Sequence, residues 1–211
     1  MQALPPLFIN DELLLINKPA GLLSVPGRGL DKQDCAIHRV QLQHPEALIV
    51  HRLDQATSGL LLLARGPDAQ RELSLAFAER RVHKRYEALL QGHLQRGTDW
   101  QTVDLPLLTD WPNRPRQKID HANGKPSQTR YRLLGFEGPN SRVLLEPLTG
   151  RTHQLRVHML ALGHPIVGDT LYSSPQDQPP AAAVPGLRMC LHARSLYLPE
   201  WGLQIDCPPE F

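Results

Sequence analysis

Short apolar runs separated by turn-forming residues dominate the chain and predict a strand-rich protein. The apolar residues 7–9 and 13–16 flank the polar sequence Asn10-Asp11-Glu12, which predicts two strands around a turn. Residues 60–64 have no polar interruption, so they predict a central strand that is buried on both faces. Further strands are predicted at residues 48–50, 86–90, 127–134 and 142–147, and near Leu187 and Leu196.

Three segments have the composition of loops. Residues 17–29 contain two prolines and three glycines, which predicts a loop with tightly defined dihedral angles. Residues 92–125 are turn-rich and include the compact sequence Trp111-Pro112-Asn113-Arg114-Pro115. Residues 173–186 are rich in Pro and Ala, and we expect a long surface loop there rather than a domain linker, because strand-like segments follow.

Helical periodicity predicts three helices. Residues 34–43 form a short one, and a second begins at Pro67, where the missing N–H of proline does no harm, and runs to about Arg81. The predicted core-facing stripe of this second helix consists of Leu73, Ala76, Phe77 and Arg80.

In the third helix, Thr152 is the predicted N-cap, and Gly163 ends the helix before Pro165. Its stripe is formed by Leu155, Met159 and Leu162. Together these elements predict an α+β protein rather than a regular βαβ alternation.

Length and composition limit the class of protein further. The chain has 211 residues, of which 41% are hydrophobic and 21% charged, and this suits a single domain over residues 1–211. No apolar run approaches the roughly 20 residues that a membrane helix needs, and the first residues do not resemble a signal peptide. We therefore expect a cytoplasmic protein without membrane contact.

The cysteines and histidines argue against a disulfide framework and against a metal site. Three widely spaced cysteines include no C-x-x-C pair. His153, His158 and His164 are spaced five and six residues apart, so one helix does not align all three.

The net charge is only +2, so local clusters of basic residues are more informative than the total. One basic run covers residues 80–85, and another contains Arg114, Arg116 and Lys118. Such runs either follow the phosphates of a nucleic acid or form a solvated face, and composition leaves both interpretations open.

Asp54 is the first candidate for a catalytic residue. It lies in a polar turn, with Arg52 two residues before it and Thr57-Ser58-Gly59 after it, and the turn leads into the predicted central strand. The end of a buried strand is a rigid support for a catalytic group. Asp is also common in turns because it hydrogen-bonds the local backbone, so the sequence alone permits a purely structural role.

Arg151 and Tyr86 are further candidates. Arg151 lies at the N-terminal edge of the third helix, whose positive end favours anions, so its guanidinium is suited to hold a phosphate or a carboxylate. Tyr86 opens a strand directly behind the first basic run, where a tyrosine is as well suited to the core as to catalysis. Arg52 either reaches a nucleic acid or forms a surface salt bridge.

The combination of motifs resembles the RluA family of RNA pseudouridine synthases. The segment from His51 to Leu62 resembles the catalytic signature of the family, and Lys84-x-Tyr86 falls where the family has its active-site tyrosine. The flanking motifs are Asn17-Lys18-Pro19-x-Gly21-Leu22, Gly150-Arg151-Thr152-His153-Gln154-Leu155-Arg156-x-His158 and Gly163-x-Pro165-Ile166-x-Gly168-Asp169. These motifs occur in the expected order over residues 17–169.

The resemblance implies a fold and a reaction. The expected fold is a mixed, largely antiparallel, bent sheet flanked by helices and loops, with an active-site cleft across the sheet. The expected reaction is the isomerisation of uridine in RNA, with no cofactor and no metal. Only sixteen residues precede Asn17, so we expect no N-terminal S4 domain of the kind that many relatives carry.

The resemblance also implies roles for individual residues. Asp54 acts at ribose C1′ as nucleophile or base, Arg151 pairs with Asp54, and Tyr86 packs on the uracil ring. Arg52 fills the space that the flipped base leaves. The residues expected to contact RNA are His51, Arg52, Thr57, Lys84, Arg114 and Lys118.

Two shorter matches narrow the expected substrate. Asp110-Trp111-Pro112-Asn113-Arg114-Pro115-x-Gln117-Lys118 and Gly124-Lys125-Pro126 are similar to stretches of the family's founding member, which modifies both 23S ribosomal RNA and tRNA. We therefore expect a stem-loop of one or both RNAs as the partner, and a monomer without an obligatory protein partner.

Two other functions are compatible with parts of the sequence. One is a non-catalytic RNA-binding protein on the same fold, against which the joint presence of Asp54, Tyr86 and Arg151 argues. The other is a glycosidase-like hydrolase that pairs Asp54 with a second acid such as Glu146 or Asp169, although nothing in the spacing requires it.

Overall fold

The computed structural model describes residues 2–95, 98–173 and 188–211. Three α-helices are formed there, α1 (Ala36–Gln41), α2 (Pro67–Ala78) and α3 (Gln154–Ala161). The strands are β1 (Phe8–Ile9), β2 (Leu13–Lys18), β3 (Ala47–Ile49), β4 (Ser58–Arg65), β5 (His83–Gln91), β6 (Gln101–Asp104), β7 (Leu107–Thr109), β8 (Gln117–Ile119), β9 (Gln128–Glu137), β10 (Asn140–Pro147), β11 (Leu191–Leu198) and β12 (Leu203–Asp206). The predicted 173–186 loop lies outside the described residues except for Ser173. The strand predicted near Leu187 also begins outside them.

The chain divides into two compact units. The first contains Met1–Lys84 and His192–Glu210, and the second contains Arg85–Leu191 and Phe211. The expectation of a single domain stays a prediction.

The first unit is built around β4. Residues 58–64 of this strand are buried, as the uninterrupted apolar run predicted. β4 pairs antiparallel with β2 and β3 and parallel with β11, and β1 and β12 pair antiparallel with β2 and β11. Leu73 and Ala76 of α2 pack in the same core cluster as Leu60 and Leu62.

The second unit contains an antiparallel sheet in the order β5-β10-β9-β6. Helix α3 packs against this sheet. Nδ1 of its buried His158 lies 2.9 Å from Thr129 Oγ1, and Nε2 lies 3.0 Å from the Leu105 carbonyl oxygen. β7 and β8 form a separate hairpin of two strands. The predicted α+β class with a mixed, largely antiparallel sheet is thus confirmed.

Two details of the helix predictions are wrong. Helix α2 ends at Ala78 and not near Arg81, because Arg80 adopts a positive φ of 63°, which a right-handed helix does not contain. Arg80 is consequently exposed and is not part of the core-facing stripe.

Thr152 is not the N-cap of α3. That position belongs to His153, which has a left-handed backbone conformation (φ 53°) and makes no capping hydrogen bond with its side chain among the described residues. Gln154 holds the preceding turn instead, because its Oε1 accepts hydrogen bonds from the Arg151 N–H (3.0 Å) and from the Thr149 hydroxyl (2.7 Å).

The segment 92–125 contains more regular structure than its turn-rich composition predicted. Strands β6, β7 and β8 all lie within it. β6 is stabilised by pairing with β9, from Gln101 opposite Tyr131 to Asp104 opposite Gln128, and such a long-range contact leaves no local pattern.

Candidate active site

Asp54 lies in the turn that leads into β4. The Thr57 N–H donates a 3.1 Å hydrogen bond to the Asp54 carbonyl, which closes the turn just before the strand begins at Ser58. Asp54 is half-buried, Arg52 is exposed and Thr57 is buried. The predicted position of Asp54 at the entrance to a buried strand is therefore confirmed.

The loop after β2 fixes this turn from the side. The Ser24 hydroxyl donates to the Leu53 carbonyl (2.8 Å) and accepts from the Leu53 N–H (3.1 Å). Gly21, with a φ of +87°, donates its N–H to the Gln55 carbonyl at 2.8 Å and accepts from the Gln55 side-chain amide at 3.0 Å. The residues on both sides of Asp54 are thus tied to a second segment.

Lys18 places a buried positive charge beside the turn. Its ammonium donates hydrogen bonds to the carbonyls of Leu22 (2.8 Å), Pro19 (3.0 Å) and Gln55 (3.3 Å). Burial lowers the pKa of Lys18 to about 8, and the Asp54 carboxylate acts in the opposite direction. Because this value is still above 7, Lys18 is mostly charged at neutral pH and provides a fixed cation near Asp54.

Lys18 lies within the Asn17-Lys18-Pro19 motif, but no role was predicted for it from the sequence. The available signal was a lysine at the end of a largely apolar strand, directly before a proline. Lysines are almost never fully buried unless they are paired, so a fully buried lysine at this place indicates a specific interaction.

His51 makes internal contacts. Its Nε2 accepts a 3.0 Å hydrogen bond from the Leu62 N–H, and its ring stacks on Phe77 with 4.4 Å between the centroids. Burial, and secondarily the charge of Lys84, lowers the pKa of His51 to about 3, so this imidazole is neutral at physiological pH. The predicted contact of His51 with RNA stays a prediction.

The start of β4 is held on its other side by β11. His192 Nε2 donates to the Cys207 carbonyl (2.9 Å), so its Nδ1 accepts from the Ser58 hydroxyl, also at 2.9 Å. Gly59 has a φ of +106°, and a Cβ at this position would lie 2.4 Å from the Ala193 carbonyl oxygen. Only glycine permits this close approach of the two strands.

Tyr86 and Arg151, the other two predicted catalytic residues, belong to the second unit. Tyr86 is half-buried on β5, opposite Leu145 of β10. Arg151 is exposed in the turn before α3, and its Nε donates a 3.2 Å hydrogen bond to the Pro126 carbonyl. The pairing of Arg151 with Asp54 stays a prediction.

The hairpin 107–119, which comprises β7, β8 and the residues between them, carries the second basic run. Arg114 is exposed and lies 4.4 Å from the ring centroid of Trp111, itself 65% exposed. Lys118 is exposed, with its Nζ 3.6 Å from the Asp120 carboxylate. An exposed aromatic ring beside guanidinium groups is a surface on which nucleic-acid bases can stack.

Tyr172 connects this hairpin to the start of α3. Its hydroxyl accepts a 2.7 Å hydrogen bond from the Gln117 N–H and lies 2.8 Å from His153 Nδ1. The guanidinium of Arg116 lies 5.5 Å from the centroid of the Tyr172 ring, and that of Arg156 lies 5.0 Å from it. Arg156 is in turn held by a two-fold hydrogen bond to the buried Asp169, at 2.7 and 2.8 Å.

Comparison with known proteins identifies the family. The sequence model of the RNA pseudouridylate synthases matches residues 12–161, which is well over half of the chain. The chain belongs to the RNA pseudouridylate synthase family. It is therefore an enzyme, an isomerase that converts uridine in RNA to pseudouridine, and the resemblance to RluA is confirmed.

Individual relatives agree with this assignment over nearly their whole length. The chain is 46% identical over 210 residues to the dual-specificity RNA pseudouridine synthase RluA of Escherichia coli strain K12, covering 97% of this chain and 93% of the relative. It is 47% identical over 208 residues to the protein of the same name from Pasteurella multocida, with 96% and 91% coverage.

A solved structure shows that the fold is shared as well. The human protein RNA pseudouridylate synthase domain containing 1 superposes with a TM-score of 0.80 at 32% identity, covering 100% of this chain and 85% of the human one. The predicted pseudouridine synthase fold is thus confirmed.

Membership of the pseudouridylate synthase family decides between the alternatives that the sequence left open. The non-catalytic binding protein and the glycosidase-like hydrolase are set aside in favour of the isomerase. None of the helices in the described part of the chain has the length and apolar character that crossing a membrane requires. Within the same residues, no cluster of His, Cys, Asp and Glu is arranged to hold a metal ion.

Proposed function

We propose that this synthase modifies uridines in stem-loops of both 23S ribosomal RNA and tRNA, with Asp54 as its catalytic carboxylate. The observation that carries the assignment of Asp54 is the double anchoring of its turn by Ser24 and Lys18. Catalysis depends on placing a reacting group to within a fraction of an ångström, and a turn fixed on both sides of the carboxylate meets this requirement.

The chemistry requires one carboxylate at the sugar. Asp54 acts at ribose C1′, either by attacking it or by removing a proton, while the bond from C1′ to uracil N1 breaks. The uracil turns and C5 forms the new bond to C1′; at this point the bond between Asp54 and C1′ breaks if Asp54 attacked, or Asp54 returns the proton to the sugar if it acted as a base. The hydrogen on C5 then leaves as a proton, and N1 takes up a proton. The Lys18 ammonium, which donates to the Gln55 carbonyl, places a positive charge beside this carboxylate.

Tyr86 and Arg151 have supporting roles in this proposal. Tyr86 packs against the uracil ring and assists at the C5 proton. Arg151 pairs with the Asp54 carboxylate through its fork of N–H donors and thereby aims it. The sequence motifs that contain both residues lie within the matched part of the chain.

The dual substrate rests on the relatives and on the hairpin 107–119. The Escherichia coli relative that is 46% identical carries the words "dual-specificity" in its name. In the hairpin, Arg114 exposes its guanidinium over the Trp111 ring, and Lys118 is exposed as well. Arg52 is exposed two residues before Asp54, where it can replace a flipped base. Cytoplasmic location, a monomer and the absence of an obligatory protein partner remain predictions, and light scattering of the purified protein tests the monomer.

A tritium-release assay tests the proposal. RNA labelled at C5 of uridine is incubated with the protein, as separate 23S and tRNA stem-loops. We expect tritium release from both RNAs and none with Asp54→Asn, which keeps RNA binding. Substantial turnover by Asp54→Asn would refute the catalytic role, and release from one RNA alone would refute dual specificity.

A further inference from the structure

The basic run at residues 80–85 contains two kinds of side chain. Arg81 is neutralised by two carboxylates, since it donates to Glu79 at 2.8 Å and to Glu200. Arg80 and Lys84 are different, because neither forms an ion pair with any acidic residue in the described ranges 2–95, 98–173 and 188–211. Within these ranges the positive charges of Arg80 and Lys84 are thus not neutralised by a carboxylate.

Lys84 is unusual because its side chain is half-buried while its positive charge has no carboxylate partner among the described residues. Its Nζ lies over the ring of Phe77, 5.7 Å from the centroid. Burial lowers the pKa of Lys84, and the nearby charge of Arg80 lowers it further. Holding a partly desolvated ammonium beside a like charge is unfavourable, so this arrangement favours the arrival of an anion.

Arg80 is unusual in its backbone. Its φ of 63° is rare for a residue other than glycine and strains the backbone. This conformation ends α2 and turns the chain toward β5, so that Arg80 comes close enough to Lys84 to influence its ionisation. Strain of this kind persists most often at functional positions.

The two cations lie next to the catalytic turn. The Phe77 ring beneath Lys84 also stacks on His51, and the charge of Lys84 contributes to the lowered pKa of His51. His51 is three residues before Asp54. All of these residues belong to the first unit.

We propose that Arg80 and Lys84 together bind one backbone phosphate of the RNA substrate beside the flipped uridine. Binding a phosphate there would compensate both cations at once and would fix the strand relative to Asp54. The identity of the anion rests on the proposed function, because a free phosphate ion has the same charged oxygens as the RNA backbone.

The salt dependence of RNA binding tests this site. Fluorescence anisotropy with a stem-loop RNA is measured between low and moderate salt for Arg80→Gln, Lys84→Met and the control Arg71→Gln. Arg71 is 78% exposed on α2 and is paired with Asp68 at 3.0 Å. Each lost phosphate contact lowers the slope of log affinity against log salt by roughly 1.

We expect Arg80→Gln and Lys84→Met each to weaken binding about three- to tenfold and to reduce the slope by roughly 1. The double variant should reduce the slope no more than either single change, because both side chains share one phosphate. Arg71→Gln should keep the wild-type slope. Wild-type slopes in the Arg80 and Lys84 variants would overturn the site.

A second measurement identifies the anion. A set of RNAs is made in which one phosphate at a time is replaced by a neutral methylphosphonate, and the binding of each RNA to the wild type and to Lys84→Met is measured. At one position the replacement should weaken binding to the wild type and leave binding to Lys84→Met unchanged. If no position behaves in this way and calorimetry shows that inorganic phosphate binds only to the wild type, the site holds free phosphate and the proposal is wrong. Tritium release by the wild type is scored separately, so that loss of the proposed function and loss of this site are distinguished.

Discussion

Ser24 holds Leu53 by both main-chain groups, since its single hydroxyl donates to the carbonyl at 2.8 Å and accepts from the N–H at 3.1 Å. The two residues are 29 positions apart, and Leu53 directly precedes Asp54. The loop after β2 is consequently a support for the turn that contains Asp54 rather than a mere connection.

Ser24→Ala should lower both the turnover number and the stability of the protein. Both hydrogen bonds disappear without a steric change, and we expect a loss of about 1–2 kcal/mol in the free energy of unfolding. Because the turn then loses its lateral anchor, the turnover number should fall about tenfold or more. Urea unfolding and single-turnover tritium release measure the two effects. Ser74→Ala, on a half-buried residue of α2, is the control, and equal turnover numbers for both variants would contradict the anchoring role.

Lys18→Met should destabilise the protein in a pH-dependent manner. Three carbonyls lose their donor, and we expect a loss of about 1–3 kcal/mol at pH 7. The pKa of Lys18 is lowered from 10.5 to about 8, so the unfolded chain binds more protons between these values. The wild type therefore gains stability from this group as the pH rises from 8 to 10.5, whereas the variant does not.

Urea unfolding at pH 7, 8.5 and 10 measures this difference. The deficit of Lys18→Met relative to the wild type should grow with pH. Lys32→Met, which changes an exposed lysine, should show no such trend. A deficit that stays constant over this range would show that burial does not lower the pKa of Lys18.

Arg151→Lys should abolish most of the activity while leaving the fold intact. Lysine keeps the charge but loses the planar fork that aims a carboxylate, and Arg151 is exposed, so stability should be unchanged. We expect the turnover number to fall by about a hundredfold. Single-turnover assays measure this loss, with Arg71→Lys as the control variant. Near-wild-type turnover by Arg151→Lys would contradict a two-fold hydrogen bond between Arg151 and Asp54.

Tyr172→Phe should weaken RNA binding without slowing the chemical step. Removal of the hydroxyl leaves the Gln117 N–H without its acceptor and also removes the contact with His153 Nδ1. The hairpin 107–119 is then no longer linked to the start of α3 through this hydroxyl. We expect KM for the stem-loop to rise about fivefold at constant kcat, which corresponds to the loss of one hydrogen bond. Trypsin should also cleave faster after Arg116 and Lys118.

Tyr197→Phe is the matched control for Tyr172→Phe, since Tyr197 is exposed and its ring stacks on His83. It should leave both KM and the rate of cleavage unchanged. An unaltered trypsin pattern in Tyr172→Phe would mean that the hydroxyl does not hold the hairpin.

The sequence predicted those features that depend on neighbouring residues. Strand β4 and the start of α2 at Pro67 follow from a continuous apolar run and from the conformation of proline. Because the apolar run defines where the strand lies, Asp54 could be placed at the entrance to the strand.

Features that depend on contacts between distant segments were missed. Strand β6 exists because Gln101 pairs with Tyr131, and the role of Lys18 depends on carbonyls at Leu22 and Gln55. The positive φ of Arg80 also has no signature in the sequence, so the end of α2 was placed too late. Local patterns do not specify the distant partners of β6 and Lys18 or the backbone angle of Arg80.

The close approach of Gly59 to Ala193 has a consequence for synthesis of the protein. The strand that begins just after the catalytic turn pairs with β11, which lies more than a hundred positions later in the chain. During translation, the Asp54 segment emerges from the ribosome long before the strand that secures it. A nascent chain therefore lacks part of this support until residues 191–198 have been made.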